Sequence, residues 1–364
     1  MKIAIVHDSF TQLGGAERVV DYLHELFPQA PVFTLVMDRK LVSRYANWDI
    51  RTTWLQHFYN FLPKLQYWLF FIPWAVGSIR IEDADVVISS SSGFVKNIRV
   101  AKHICHINYC HTPSRFLWID KDYISQEVNW FFRPCVKLFL WWMKKWDTQG
   151  SKRVNIFIAN SKEVQKRIAE VYRRDSEVVY PAIDTDFWKP TISKQGYFLI
   201  AGRLQAHKRI DFIIKCFNEL GLPLHVVGTG RQESYLRSIS KHNIKFLGRI
   251  PDEKLRDEYS GASGFIYPQM EDFGLMPLEA AACGTPTLAF ARGGALETVI
   301  PGKTGELFES YDQEKIKEII LTWQPAKYQP EELKNQALKF SKDTFKKRIK
   351  ELVDSLYLAR PRKM

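Results

Sequence analysis

The sequence lacks the features that mark exported and disulfide-bonded chains. Its five cysteines form no CxxC pair and have no metal-ligand spacing with histidine, and an odd number of thiols suits reduced, buried side chains better than a disulfide framework. The first residues, MKIAIVHD, end at an acidic residue without the long apolar core and cleavage site of a signal peptide. We therefore expect a cytoplasmic protein without disulfides.

Long uninterrupted apolar runs are also missing. The two most apolar stretches, residues 54–74 and 130–146, are broken by Pro and by Lys or Arg, whereas a spanning helix needs about 20 mainly apolar residues. Their aromatic density and basic residues are typical of segments at lipid headgroup level that attract anionic lipid. The alternative is a pair of core helices, and both descriptions hold if one face packs inward. We expect peripheral association with the inner face of the plasma membrane.

The charge balance favours an anionic partner without choosing one. Against 40 Asp and Glu stand 52 Lys and Arg, a net charge of +12 that suits a nucleotide, a phospholipid headgroup or a nucleic acid. The sequence has no RNA-recognition signature, and its charge is spread rather than concentrated, so we expect no nucleic-acid partner. At 364 residues the chain has the length of about two domains, which favours a cleft.

Strand and helix patterns alternate along the first half, which predicts a parallel sheet covered on both faces. The predicted strands are residues 2–7, 32–36, 85–89, 103–109 and 155–159. The predicted helices are residues 16–27 and a helix that Asn160 or Ser161 caps and that ends near Tyr172. Two prolines and a cluster of turn formers place an inter-domain linker at residues 178–190.

The second half repeats this alternation. Its predicted strands are residues 197–201, 224–227, 244–247, 264–267 and 287–290, and its helices lie near 209–219, 252–260 and 275–283. A basic, amphipathic stretch at 331–359 follows. We therefore predict an α/β protein with two doubly wound, Rossmann-like domains at residues 1–186 and 187–340, and a helix at 341–364 that returns to the first domain.

Ligands of doubly wound sheets bind where strands end and turns lead into helices. In HDSFTQLGGAERVV (7–20), Gly14 and Gly15 precede a helix, and paired glycines let backbone amides approach an anion. A tight turn explains the same pair. In AGRLQAHKR (201–209), Arg203 and Lys208 stand where a diphosphate would need its charge neutralised, although a solvated basic turn is the alternative.

The segment EDFGLMPLEAAACGTP (271–286) is the most informative. Gly274 allows close approach, and the helix that starts near Leu275 has amides free for phosphate oxygens. Glu279 lies one turn further on, and Glu271 precedes the turn. A phosphate repels carboxylates, so their partners would be hydroxyls of a ribose and of a transferred sugar. The alternative is helix capping by Glu271 and a surface Glu279.

These segments resemble glycosyltransferase family 4, a large family of retaining enzymes, over nearly the whole chain. GRLQAHKR is similar to the family's phosphate loop, FLGRIPDEKL (246–255) to the strand and turn before its base pocket, and residues 271–286 to its E-x7-E element. GGALETVIPGKTGELF (293–308) is also of the family type. The resemblance implies the GT-B fold, with two Rossmann-like domains facing across a cleft. One departure is Asp272, where Gly is common.

The resemblance also implies roles for single residues. Arg203 and Lys208 would bind the donor diphosphate, Glu271 the donor sugar and Glu279 the ribose. The other donor-binding residues implied are Gly14 and Gly15 for the diphosphate, Asp272, Phe273, Gly274 and Leu275 for phosphate and sugar, and Arg249 and Ile250 for the base. No metal and no cofactor beyond a UDP- or GDP-hexose donor is implied, because the family element lacks the DxD pair that ligates a divalent cation.

His111 ends a predicted strand within NYCHTPSRFLWID (108–120). A lone His is more often structural than catalytic. The segment resembles the HTP-x-R-x-x-W element of bacterial polysaccharide mannosyl- and glucosyltransferases, which implies that His111 joins Glu271, Arg203 and Lys208 as a catalytic group.

The implied function is the transfer of mannose or glucose from a nucleoside-diphosphate sugar to a glycan or polyprenyl-diphosphate-linked acceptor in polysaccharide biosynthesis. The HTP element favours GDP-mannose, although UDP-glucose enzymes share the core motifs. The resemblance implies retention of configuration, and because the sequence has no obvious nucleophile we expect front-face displacement assisted by the leaving diphosphate. A nucleotide-sugar epimerase of the same two-Rossmann architecture is the alternative.

Overall fold

The computed structural model describes residues 1–119 and 130–358. Residue 120 of the predicted HTP segment and residues 359–364 of the predicted last helix lie outside the described residues. The chain forms two compact units. Unit 1 comprises Met1–Pro181 and the chain from Lys346 onward, and unit 2 comprises Ala182–Phe345. The division after Pro181 falls inside the predicted linker.

Unit 1 contains a seven-stranded parallel sheet in the order β3-β2-β1-β4-β5-β6-β7. Its strands are β1 (Ile3–His7), β2 (Val32–Thr34), β3 (Ile50–Thr52), β4 (Val86–Ser91), β5 (Cys105–Cys110), β6 (Ile156–Ala159) and β7 (Ser176–Val178). Every residue of β1, β4 and β5 is buried, as expected of parallel strands that are covered on both faces. The five strands predicted for this half are confirmed, with shifted ends.

The helices of unit 1 include the two predicted ones. In chain order they are α1 (Gly15–Leu26), α2 (Leu55–Tyr59), α3 (Ile72–Gly77), α4 (Arg115–Trp118), α5 (Arg133–Ser151) and α6 (Lys162–Tyr172). Ser161, one of the two predicted caps, accepts a hydrogen bond from the amide of Val164 at 3.1 Å and so satisfies one unpaired donor of α6. A 3₁₀ segment at Leu65–Phe71 joins α2 to α3.

Unit 2 contains a six-stranded parallel sheet in the order β10-β9-β8-β11-β12-β13. Its strands are β8 (Tyr197–Ala201), β9 (Leu224–Val227), β10 (Ile244–Gly248), β11 (Ala262–Tyr267), β12 (Thr287–Phe290) and β13 (Gly305–Phe308). Its helices are α7 (Ile210–Leu220), α8 (Glu233–Ile239), α9 (Asp252–Gly261), α10 (Met276–Ala282), α11 (Ala295–Thr298), α12 (Gln313–Leu321) and α13 (Pro330–Leu338). All five predicted strands and the three predicted helices of this half are present.

The described part of the basic stretch, residues 331–358, contains most of α13 and one further helix. After α13 the chain turns at residues 339–341 and continues as α14 (Lys342–Leu358). From Lys346 onward this helix belongs to unit 1. Arg348 pairs with Glu177 of β7 at 3.2 Å, and Lys346 pairs with Glu25 of α1. From Lys346 onward the helix therefore packs on the first unit.

Three strands and one thiol differ from the sequence predictions. The strands β3, β7 and β13 were not predicted because each is short, includes a charged residue and is only partly buried, so none forms the apolar run that marked the other strands. Four cysteines are buried and unpaired, but Cys135 on α5 is exposed, so the expectation of buried thiols is wrong there. Within residues 1–119 and 130–358, no helix has both the length and the apolar character that crossing a bilayer requires.

Candidate active site

The strand order of unit 2 reverses between β8 and β11, which are adjacent in the sheet although two strands separate them in the chain. In open parallel sheets, ligands bind beyond the carboxyl ends of the strands at such a reversal. The loops that follow β8 and β11 carry the predicted phosphate and E-x7-E segments. The fold therefore brings these two segments to one edge of one sheet.

The loop after β8 holds its shape through close backbone contacts. Gly202 has a φ of +136°, and a 3₁₀ turn at Ala206–Lys208 leads to Arg209, which is left-handed at φ 54° and is the N-cap of α7. A Cβ on Gly228 would lie 1.8 Å from the carbonyl oxygen of Gly202. Glycine at both positions lets the loops after β8 and β9 touch. Within this loop Arg203 is exposed and Lys208 half-buried.

The loop after β11 is held by a second pair of glycines. The amide of Gly294 donates to the carbonyl oxygen of Glu271 at 3.0 Å. A Cβ on Gly293 would lie 2.2 Å from that same oxygen. Gly274 has a φ of +86°, and a Cβ there would lie 2.6 Å from the hydroxyl of Tyr267. The segment at 293–308 therefore fixes the backbone of the segment at 271–286.

Lys208 and Glu271 form an ion pair across these two loops. Their side chains are 17% and 28% exposed, so neither is fully buried. The structure thus brings together Lys208, which the resemblance assigned to a diphosphate, and Glu271, which it assigned to a sugar. The two alternative interpretations, helix capping by Glu271 and a surface position for Glu279, are both wrong. Leu275 is the N-cap of α10 and no side chain caps that helix, whereas Glu279 is only 4% exposed.

Glu279 is buried because it lies on α10, a helix that is buried on almost every side. Every residue of that helix from Pro277 to Ala282 is buried. The hydroxyl of Tyr259 lies 3.5 Å from its Oε2 atom. The other predicted residues of unit 2 follow strand ends as well. Arg249 is exposed and Ile250 half-buried beyond β10, while Asp272, Gly274 and Leu275 are half-buried and Phe273 is buried beyond β11.

His111 of unit 1 lies beyond β5, next to the reversal between β1 and β4. Its Nε2 atom lies 2.8 Å from the hydroxyl of Ser90, at the end of β4. His7 stands opposite Ser90 in the pairing of β1 with β4, and its Nδ1 atom lies 3.3 Å from the same hydroxyl. Burial, with the neighbouring His7, lowers the pKa of His111 to about 3. The imidazole of His111 is therefore neutral near pH 7.

Glu17 of α1 links the glycine turn to this histidine pair. Its Oε2 atom accepts a hydrogen bond from the amide of Gly14 at 2.8 Å, and its Oε1 atom lies 3.8 Å from Nε2 of His7. Gly14 is the N-cap of α1 in an extended conformation, and Gly15 is the first helical residue. Sequence reasoning missed His7, Ser90 and Glu17. The spacing of Gly14 and Glu17, typical of a capping box, was the available signal.

Trp118, the last residue of the HTP element, is anchored by a buried carboxylate on α5. Its indole Nε1 donates to Asp147 at 2.8 Å, and the hydroxyl of Tyr172 donates to the same oxygen at 2.8 Å. Lys96, only 1% exposed, forms an ion pair with Asp147, which is itself fully buried. Buried charges require such partners. A cavity of about 430 Å³ opens beside Trp118, lined also by Trp141, Lys144, Lys145, Thr148 and Gln149.

Models of two glycosyltransferase families match the chain in succession. The model for Glycosyltransferase Family 4 matches residues 13–187, and the model for glycosyl transferases group 1 matches residues 182–340. In the described part of the chain, no three His, Cys, Asp or Glu side chains are grouped as a metal site would require.

Individual relatives match shorter parts. A GDP-mannose-dependent monoacylated alpha-(1-6)-phosphatidylinositol monomannoside mannosyltransferase of Corynebacterium glutamicum is 35% identical over 33% of this chain and 35% of its own length. A GDP-mannose-dependent alpha-(1-6)-phosphatidylinositol monomannoside mannosyltransferase of Mycolicibacterium smegmatis is 27% identical over 53% of this chain and 57% of its own. The chain thus spans about a third to somewhat over half of these relatives.

A solved structure shares the fold over almost the entire chain. The Anabaena protein Alr3699/HepE, solved in complex with UDP, superimposes with a TM-score of 0.73 at 17% sequence identity. The match covers 98% of this chain and 100% of the Anabaena chain. At this identity the likeness shows the GT-B fold and no more.

Proposed function

The chain belongs to glycosyltransferase family 4, and we propose that it transfers a mannose or glucose unit from a UDP- or GDP-hexose to a glycan or a polyprenyl-diphosphate-linked acceptor. The pair of Lys208 and Glu271 carries this proposal. A nucleoside-diphosphate sugar presents an anion and a set of hydroxyls side by side, and this sheet edge presents a cation and a carboxylate side by side.

The chemistry that we assign to these residues is electrostatic. When the bond between the anomeric carbon and the diphosphate breaks, negative charge grows on the diphosphate, where Lys208 and Arg203 would stabilise it. Removal of one such preorganised group typically costs about 3–4 kcal/mol of transition-state stabilisation. We propose that displacement occurs on the front face with retention, because the leaving diphosphate can then accept the acceptor's proton.

Glu271 and Glu279 differ in environment, which suits different tasks. Glu271 is partly exposed next to a cation, so its carboxylate can accept hydrogen bonds from a reacting sugar. Glu279 is buried on a rigid helix, which suits a fixed contact to ribose hydroxyls. We propose a polysaccharide-building role without a metal cofactor, in the cytoplasm.

The donor is proposed from the relatives' own names and from the HTP element. The two mannosyltransferases named above are described as GDP-mannose-dependent, whereas the Anabaena structure contains UDP. Both nucleotides therefore stay in the proposal. The alternative of a nucleotide-sugar epimerase gains no support, because both matching family models describe glycosyltransferases.

A donor screen followed by product analysis tests the proposal. The full chain is melted with GDP-mannose, UDP-glucose and the other common nucleotide sugars, and the donor that raises the melting temperature most is incubated with membrane extract and with defined glycans. We expect hexose on an acceptor and release of the nucleoside diphosphate. An isomerised sugar nucleotide formed without an acceptor would establish the epimerase instead.

A further inference from the structure

Two segments of unit 1 that are distant in the sequence form one aromatic layer. Residues 54–74 comprise α2, the 3₁₀ segment and the start of α3, and residues 131–146 comprise most of α5. The rings of Phe70 and Phe139 lie 5.8 Å apart, and those of Trp74 and Trp142 lie 5.6 Å apart. We call the solvent-facing side of these two segments the aromatic surface.

The inner side of the same segments belongs to the core of unit 1. Leu55 and Ile72 are fully buried and pack in one cluster, and Met143 of α5 is also fully buried. The folded position of the segments is therefore fixed by packing on the protein. The exposed side chains of the outer side contribute little to that core and are therefore available for another contact.

The outer side is unusually apolar. Of the 23 exposed large apolar side chains in the described part of the chain, 12 lie in these two segments. The most exposed are Phe61 at 79%, Phe131 at 70%, Leu138 at 67%, Phe132 at 56%, Phe70 at 54% and Trp141 at 53%. Contiguous exposed apolar residues of this kind mark an interaction surface rather than ordinary scatter.

The charged residues within the two segments all have one sign. The two segments, residues 54–74 and 131–146, contain five Lys or Arg and no Asp or Glu. Two of these lysines lie over aromatic rings: Nζ of Lys145 is 3.7 Å from the ring centre of Trp141, and Nζ of Lys64 is 5.5 Å from that of Tyr67. Aromatic rings with an apolar body and lysines with long stems are the residues that favour headgroup depth.

We propose that the aromatic surface docks unit 1 on an anionic lipid bilayer, with its rings among the headgroups and its basic side chains facing lipid phosphates. A second copy of the chain does not fit this surface. A two-fold interface would bring the same basic groups against one another without a single acidic partner from these segments, and like charges across an interface disfavour association. An anionic bilayer supplies both the apolar layer and the opposite charge.

Vesicle co-sedimentation of the full chain tests this docking. Vesicles of phosphatidylcholine alone and of phosphatidylcholine with a third phosphatidylglycerol are compared at low and high salt. We expect binding to the anionic vesicles that falls as salt rises, because the Debye length shrinks. Replacing Lys137→Gln and Lys145→Gln together should weaken the partition coefficient about 25-fold, since each basic residue near the surface contributes about fivefold.

The apolar contribution is tested separately and against a matched control. Phe61→Ser with Leu138→Ser should reduce binding to both kinds of vesicle, while their high exposure leaves the fold intact, as circular dichroism and melting would verify. The control is Leu321→Ser with Lys315→Gln, which removes one apolar side chain and one basic side chain, 67% and 74% exposed, from unit 2. The control should bind like wild type.

Three results would overturn the proposal. One is equal binding of the control and of the aromatic-surface variants, and another is no binding to anionic vesicles at low salt. The third is a dimer in sedimentation velocity that Phe61→Ser with Leu138→Ser dissociates, which would identify a second copy as the occupant. Lipid binding is measured without a sugar donor, so its outcome is independent of the proposed transfer reaction.

Discussion

The Lys208 ammonium group and the Glu271 carboxylate are ion-pair partners at the edge where β8 and β11 end. A ligand that binds Lys208 therefore competes with Glu271, and a ligand that binds Glu271 competes with Lys208. A diphosphate that binds Lys208 must weaken its contact with Glu271, and the released carboxylate then becomes available to a sugar hydroxyl. Binding of the two halves of a nucleotide sugar would in this way be coupled through one ion pair.

Glu271→Gln should affect nucleotide binding and turnover in opposite directions. Without the carboxylate, Lys208 no longer has to leave a charged partner, so UDP or GDP without a sugar should bind up to about fivefold more tightly, equivalent to about 1 kcal/mol for a partly exposed pair. Turnover of the complete donor should fall. Calorimetric titration and initial rates measure the two effects, with the exposed Glu309→Gln as control. Weaker nucleotide binding by the variant would contradict the coupling.

Glu271→Ala and Glu279→Ala should separate kcat from KM. A contact to the reacting sugar can strengthen in the transition state, so the first substitution should chiefly lower kcat. A ribose contact contributes uniform binding, so the second should chiefly raise the donor KM. Because Glu279 is buried, Glu279→Gln is needed as a variant of the same size. If both Glu279 variants lowered kcat at saturating donor and left KM unchanged, the assignment would be reversed.

The paired motifs of unit 2 illustrate what a sequence can predict here. Strands β8, β9 and β12 were predicted with their observed bounds, because each is a short apolar run between strong turn formers. The motifs at 201–209 and 271–286 could be assigned to one strand edge by the rule for doubly wound sheets. Their direct ion pair could not be predicted, because it depends on the backbone paths that Gly228, Gly293 and Gly294 permit.

His111→Ala should lower kcat about a hundredfold, as expected for the loss of one preorganised contact, with little effect on nucleotide binding. Ser90→Ala removes the hydrogen-bond partner of the ring and keeps the ring itself, so a smaller loss of about fivefold is expected. Steady-state rates with saturating donor and acceptor measure both. Wild-type kcat in the His111→Ala variant would leave His111 a purely structural residue.

The pH profile distinguishes positioning from general-base catalysis at the same residue. A His base with the ordinary pKa of about 6.5 would give an acid limb in kcat that disappears in the His111 variant. Burial lowers the pKa of His111 to about 3, so we expect wild type and variant to have profiles of the same shape between pH 5 and 8. A limb near pH 6.5 present only in wild type would refute this.

His106 should make the chain sensitive to acid. Burial, together with the positive charges of Arg153 and Lys96, lowers its pKa to about 3. The unfolded chain therefore binds more protons below pH 6.5, and stability falls as the pH drops from about 6.5 toward 3. The loss amounts to about 2 kcal/mol at pH 5. His106→Gln should lose less stability than wild type between pH 7 and 5, measured by urea unfolding, whereas the exposed His57→Gln should behave like wild type.

Excess EDTA should leave turnover nearly unchanged. The positive charge for the leaving diphosphate is assigned to Arg203 and Lys208, and the segment at 271–286 has no DxD pair. The enzyme is dialysed against chelator and assayed with and without added Mg²⁺ or Mn²⁺. Complete loss of activity that either ion restores would refute the assignment.

The polar contacts of unit 1 were beyond sequence reasoning for a different reason. His7, Ser90 and His111 are 83 and 21 residues apart along the chain and meet because β1, β4 and β5 are neighbours in the sheet. Their contacts can be predicted only when the strand order of the sheet is known. The burial of Asp147 could not be predicted either, because a single acidic residue on a basic, aromatic helix is expected to be exposed. In the structure it is buried and contacts Lys96 and Trp118.

The return of the chain from unit 2 to unit 1 has a consequence for synthesis on the ribosome. Ile349 and Val353 of α14 are each 1% exposed, so the helix completes the packing of a unit whose seven strands are all made before unit 2. At about 5–20 residues per second, the 164 residues of Ala182–Phe345 take roughly 10–30 s to emerge between the two parts. Throughout that interval the apolar surface of unit 1 that α14 covers in the folded protein stays exposed. Chaperones that recognise apolar surface would have their longest access to this protein there.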